Sequence, residues 1–135
     1  MNRALLCSAI EGLVSKCGYD FRLLDKSSYP ATVCRYPAAS LFSPEFIAQE
    51  GRKHGRITYK ISLHLAQQGA KLSPNERHEM LNQMEQQLIE VFVELSKAEC
   101  VAVVDKLTIS PQSSPTIDNH GALAMVAEAE VETIF

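Results

Sequence analysis

Apolar and polar residues alternate without a break from Ile57 to Ala66. Ile57, Tyr59, Ile61, Leu63 and Leu65 point one way, and Thr58, Lys60, Ser62, His64 and Ala66 point the other. That pattern predicts a strand in a sheet covered on one side only. A second alternating run, Ala122 to Phe135, sets Leu123, Met125, Ala127, Ala129, Val131 and Phe135 against Glu128, Glu130 and Glu132. Val101 to Ser110 is strand-like as well. Two segments carry the helical period instead. In Ala4 to Lys16, the residues Leu6, Ile10, Leu13 and Val14 share one face, and Gly18 suits a left-handed carboxyl cap. The second helix opens at Ser73-Pro74-Asn75-Glu76, a capping box with proline at the first helical position, and runs to about Lys97. Leu81, Met84, Leu88, Val91, Phe92 and Leu95 form its apolar stripe. At about 1.5 Å per residue it should span roughly 36 Å, enough to cross a sheet.

The remaining segments are less periodic. Tyr19 to Leu24 fits a strand or an irregular connector. Ala31 to Tyr36, bracketed by Pro30 and Pro37, reads as a short strand near a sheet edge. Leu41 to Ile47, with Ser43-Pro44-Glu45 inside it, reads as a helical turn, and Gln49 to Arg56 as a polar, glycine-punctuated loop. Pro111 to His120 has the composition of a second loop. Together these elements predict a single α+β domain over residues 1–135. Its core would be one antiparallel or mixed sheet of about four strands, with a long helix packed on one face and an amino-terminal helix beside it.

Composition narrows the function classes. The 135 residues are 46% hydrophobic and 21% charged, ordinary for a globular domain with a self-sufficient core. A formal net charge of −3 and the absence of tryptophan weigh against a base-stacking or generally basic nucleic-acid surface. No segment has the length of a membrane-spanning helix, and Met1 to Lys16 lacks the pattern of a secretory leader. Cys7, Cys17, Cys34 and Cys100 fall at irregular spacings with no C-x-x-C, which reads as reduced thiols in or near the core.

Candidate chemistry is sparse. The loop Gly51-Arg52-Lys53-His54-Gly55-Arg56 reads first as a solvated loop, and its Arg52, Lys53, His54 and Arg56 are the candidates for meeting an acidic partner or a phosphate backbone. It leads into a strand, so it is not a phosphate loop. The ladder Glu128, Glu130, Glu132 spaces its carboxylates about 7 Å apart, which fits ion pairing with a neighbouring strand, Lys60 or His64 included. Acid–base work would require environments that separate the carboxyl pKa values, and an exposed ladder provides none. His78-Glu79 begins like a zincin helix but has no second histidine. No metal or cofactor set is spelled out, and no catalytic residue is assigned.

The order of these elements resembles the tail terminator or tail-completion proteins of long-tailed bacteriophages and prophage-like elements. The matching features are the amino-terminal helix and the proline-bracketed Tyr29-Pro30-Ala31-Thr32-Val33-Cys34-Arg35-Tyr36-Pro37. The strand Gly55 to Leu65, the capped helix and the strand Gly121 to Glu132 complete the match. The resemblance implies a non-enzymatic structural protein that forms a homo-oligomeric ring, commonly a hexamer, on the tail tube. Such a ring joins tail to head, with tube and head–tail connector proteins as partners. It further implies assembly in the host cytoplasm and residence in the virion tail, without membrane or specific nucleic-acid contacts. An acidic ladder would suit a lumen that must not grip DNA. Two other classes remain open: a small ligand- or partner-binding α+β module, and an RNA-binding domain, against which the acidic balance counts.

Overall fold

The computed structural model describes residues 2–24, 36–50, 55–69, 71–112 and 123–134. Helix α1, Asn2–Lys16, buries Leu6, Ile10 and Val14 along one face. It stops where the sequence places Gly18. That residue has φ 88°, in the left-handed region where only glycine is unstrained. The Tyr19 amide then donates to the Val14 carbonyl at 3.2 Å and the Gly18 amide to Ser15 at 3.0 Å, which satisfies the last carbonyls of the helix.

Among the described residues, six strands follow around the second helix: β1 (Asp20–Leu24), β2 (Ala38–Phe42), β3 (Glu45–Glu50), β4 (Arg56–Gln67), β5 (Val101–Gln112) and β6 (Leu123–Ile134). Their order in the sheet is β1-β2-β4-β6-β5, and β3 pairs with β4 alongside β2. The sheet is mixed, because β1 and β2 are parallel while the other pairs are antiparallel. It therefore has more strands than the four read from the sequence. β4 and β6 pair over all 12 residues without a register shift. A slip by one residue there would send every buried side chain to the opposite face, so the two alternating patterns lock the register.

Helix α2, Pro74–Ser96, carries the expected capping box. The Glu76 amide donates to the Ser73 hydroxyl, and the Glu76 carboxylate accepts from the Ser73 amide at 3.1 Å. It lies over β5 and β6, with α1 beside it over β1 and β6. Between helices and sheet sits one continuous core. Met84, Leu88, Val91, Phe92 and Leu95 face Ile61, Leu63, Leu65, Met125, Ala127, Ala129 and Val131, all buried. Each fully buried aliphatic side chain contributes about 1.5–3 kcal/mol. Two polar residues enter this core with their partners supplied. Asn2 donates through Nδ2 to the Thr133 hydroxyl at 2.9 Å, and Thr133 donates to the Ile57 carbonyl at 2.8 Å.

Three expectations change. Leu41 to Ile47 is not a helical turn: β2 ends at Phe42, Ser43 and Pro44 form a kink, and β3 begins at Glu45. Pairing with β4 outweighs local propensity, and the proline occupies the break, where no ladder donor is required. Arg3 fixes that kink by donating to the Pro44 carbonyl at 2.5 Å and to the Ser43 hydroxyl at 3.1 Å. Gln49 and Glu50, read as loop, belong to β3, and Arg56 begins β4. Pro111 likewise belongs to β5. The strand expected over Ala31–Tyr36, the rest of the loop after Gln112, and Cys34 lie outside the described residues, Tyr36 excepted. Cys7, Cys17 and Cys100 are free thiols, each partly buried. Among the described residues, no helix is long and apolar enough to cross a membrane.

Candidate functional site

Because the helices cover one face of the sheet, the other face carries the polar half of each alternating strand. On β4 and β6 this puts Thr58, Lys60, Ser62 and His64 beside Glu132, Glu130, Glu128 and Val126. The glutamate ladder is thus a surface feature at the middle of the sheet, with cations from both neighbouring strands laid across it. Arg56 reaches Glu132 at 3.1 Å and Lys60 reaches Glu128 at 3.6 Å. In each case the cation passes over its directly opposite residue and bonds diagonally, two positions along β6.

Glu130 takes its cation from the other side. Asp105 of β5 is its direct neighbour, a like-charge placement that would be unfavourable alone. The register shifts between Asp105 and Thr108, and Lys106 there adopts φ 54°. Its amide donates to the Asp105 carboxylate at 2.9 Å, and its ammonium lies 3.3 Å from Glu130. The bulge thus supplies a countercharge where the regular ladder would have left two carboxylates face to face. These pairs are substantially exposed, so each contributes at most about 1 kcal/mol. Even when paired, the central face keeps an excess of carboxylates, since Glu45 and Glu50 of β3 stand beside Lys60 and Arg56 in the register.

Near the kink between β2 and β3 the outer face dips. Phe42, Ser43, Glu45, Lys60, Ser62 and Glu128 line an open depression of about 370 Å³. His64 borders this region. Its Nε2 lies 3.1 Å from the Ser62 hydroxyl, and its ring meets Phe42 edge-on with centroids 4.9 Å apart. Burial holds the imidazole pKa below the usual value, and the Glu128 charge pulls partly the other way. A serine hydroxyl against an imidazole is a component of nucleophilic catalysis. Here, however, Glu128 is engaged by Lys60, and the depression is open to solvent. Farther along the same face the polar pattern gives way to small residues, with Ala66 and Ala124 buried and Tyr36 packed against them.

The sequence-based candidates therefore separate. Glu128, Glu130 and Glu132 are brought together with Arg56 and Lys60 on one surface. Arg52, Lys53 and His54 lie outside the described residues, so of the four basic candidates in the loop only Arg56 has a described position, at the start of β4 and paired to Glu132. His64 is close to Glu128 but is joined to Ser62 and Phe42 rather than to a ligand set. Among the described residues, no three His, Cys, Asp or Glu side chains converge as a metal site would require. Lys106, Phe42 and Ser62 were not singled out from the sequence. The i, i+2 spacing of Ser62 and His64 could have shown that they share a face, whereas nothing local marks the left-handed Lys106. No protein-family model matches the chain, and no curated protein matches it either.

Proposed function

We propose that this protein is a non-enzymatic assembly protein that associates with copies of itself head to tail and closes into a ring. This is the behaviour expected of the phage tail terminators that the chain resembles. The observation that carries the reading is the placement of exposed apolar side chains at opposite margins of one sheet. Leu23 on β1 is 54% exposed, while Val103 and Leu107 on β5 are 47% and 36% exposed, at the far end of the strand order. A contact that joins two unlike margins is heterologous, and it closes into a ring when the rotation per copy permits. The outer face supports the same reading, because its charges are engaged with one another and its surplus is acidic. Facing a lumen, such a surface would let DNA pass without holding it.

In this proposal the ring, hexameric by analogy with the family, forms in the host cytoplasm. It caps the tail tube and meets the head–tail connector in the virion. The depression beside Lys60 and Glu128 favours a second reading, a small partner- or ligand-binding module. Two blocked variants separate the readings. Leu23→Asp blocks one margin and Val103→Asp the other, so each alone should remain monomeric. Mixed, they still offer one intact pair of margins and should form a heterodimer and stop. If neither substitution alters association, or if the mixture stays monomeric while the wild type assembles, the head-to-tail reading is wrong.

A further inference from the structure

β5 is a long strand at the end of the sheet order, and among the described residues it pairs with β6 alone. Val101, Val103, Val104, Thr108 and Ile109 make it a strong strand former. A regular ladder over its 12 residues would present an edge roughly 40 Å long, with N–H and C=O groups open to another chain. Such an edge is complementary to itself, because a two-fold axis through its middle pairs it antiparallel with the same strand of a second copy.

The observed edge is not regular. Val101 stands opposite Thr133 and Val103 opposite Glu132, so Ala102 is an extra residue. Asp105 stands opposite Glu130 and Thr108 opposite Glu128, so Lys106 and Leu107 together take the place that Ala129 alone takes on β6. Past the first shift the regular runs are short, residues 103–105 and 108–112, and Pro111 brings no donor to the second. Charge holds the second shift in place. Lys106 has φ 54°, a conformation that disfavours any residue with a Cβ. Its amide donates to the Asp105 carboxylate at 2.9 Å, so that donor is engaged within the turn, and its ammonium lies 3.3 Å from Glu130. The shift also gives up burial: an unshifted ladder would set Leu107 opposite Ala129 on the core face, whereas Leu107 is 36% exposed. We propose that Asp105, Lys106 and Glu130 form an edge guard, which keeps β5 from pairing with β5 of a second copy. The two-fold dimer is thereby disfavoured, and the margin is left to contacts made by side chains. The guard acts whether or not unlike margins meet, so it stands or falls separately from ring closure.

The test is made in the Leu23→Asp background, which removes the proposed head-to-tail contact from every arm. Deleting Lys106 keeps Asp105 opposite Glu130 and Thr108 opposite Glu128, and makes the ladder continuous from Val103 onward. Sedimentation velocity gives the mass, and amide hydrogen exchange locates the contact. The expected result is a dimer of the deletion variant, with exchange within β5 slowed several-fold as protein concentration rises. The Leu23→Asp parent should stay monomeric at the same concentrations. Lys106→Gly, which keeps the left-handed turn and loses the ammonium, should stay monomeric too. Urea unfolding followed by circular dichroism checks the fold. If the deletion variant does not unfold cooperatively, the same readings on Asp105→Ala/Lys106→Val decide. That variant loses the carboxylate that holds the turn and puts a β-branched residue at the positive φ. A cooperatively folded variant without the guard that remains monomeric would overturn the proposal. So would a Lys106→Gly dimer, or β5 protection that rises with concentration in the parent.

Discussion

Leu88→Ala is the most informative perturbation of the fold, because Leu88 is fully buried at the centre of the stripe by which α2 meets the sheet. The substitution removes three carbons. At about 0.8 kcal/mol per buried methylene the transfer loss is roughly 2.4 kcal/mol. The residual cavity adds to that, since a helix pinned between sheet and α1 collapses only in part, which brings the cost to about 3–4 kcal/mol. With an unfolding entropy of about 2.1 cal/mol/K per residue, the melting temperature should fall by roughly 10–14 °C. Urea unfolding followed by circular dichroism should show a lower midpoint and an unchanged slope. Val93→Ala is the control on the same helix: Val93 is exposed, so its truncation should cost no more than about 0.5 kcal/mol. A Leu88→Ala cost below about 1 kcal/mol, or one equal to the control, would refute the placement of α2 on the sheet.

Three further outcomes follow from individual contacts. Burial depresses the His64 pKa, so the unfolded chain binds a proton there more readily. The associated stability is present above the ordinary histidine value of about 6.5 and is lost as pH falls through the lower folded value. Glu128→Gln removes the opposing carboxylate and should depress the pKa further; an NMR titration placing His64 at or above the ordinary value would contradict this. Tyr19 donates to Gln87 at 2.5 Å and accepts from Gln67 at 2.9 Å, so Tyr19→Phe should cost about 1–2 kcal/mol. Burial raises its phenol pKa, with the Gln67 hydrogen bond working against the rise and Cys17 adding to it. Its contribution is therefore present below about pH 10 and is lost as pH rises beyond that, and absorbance titration should show one late tyrosine. Thr133→Val strips Asn2 of its buried acceptor and should cost about 1–3 kcal/mol in urea unfolding, whereas a neutral result would mean that Asn2 finds another partner.

Much of this architecture was legible because local signals agreed with the tertiary outcome. The capping box at Ser73 and Glu76 set the start of α2, Gly18 set the end of α1, and strict alternation assigned the faces of β4 and β6. The edge strands were less visible. β1 is five residues long and pairs in parallel with β2, across a connection that leaves no hairpin signature. Pro44 suggested the first turn of a helix, yet it marks a break between two strands that share the same side of β4. The site divides in the same way. Alternation places Glu128, Glu130 and Glu132 on one face, but their cations depend on a register that only tertiary pairing sets. Lys106 reaches Glu130 through a bulge that its neighbours in sequence do not announce.

The central claim is that unlike margins of this sheet meet and close. Sedimentation equilibrium of the wild-type chain over a wide concentration range tests it most directly. The account predicts a mass that rises from the 14.9 kDa monomer to a plateau at one integral multiple and does not change with further concentration. A strict monomer throughout, a plateau at the dimer, or growth without limit would contradict it.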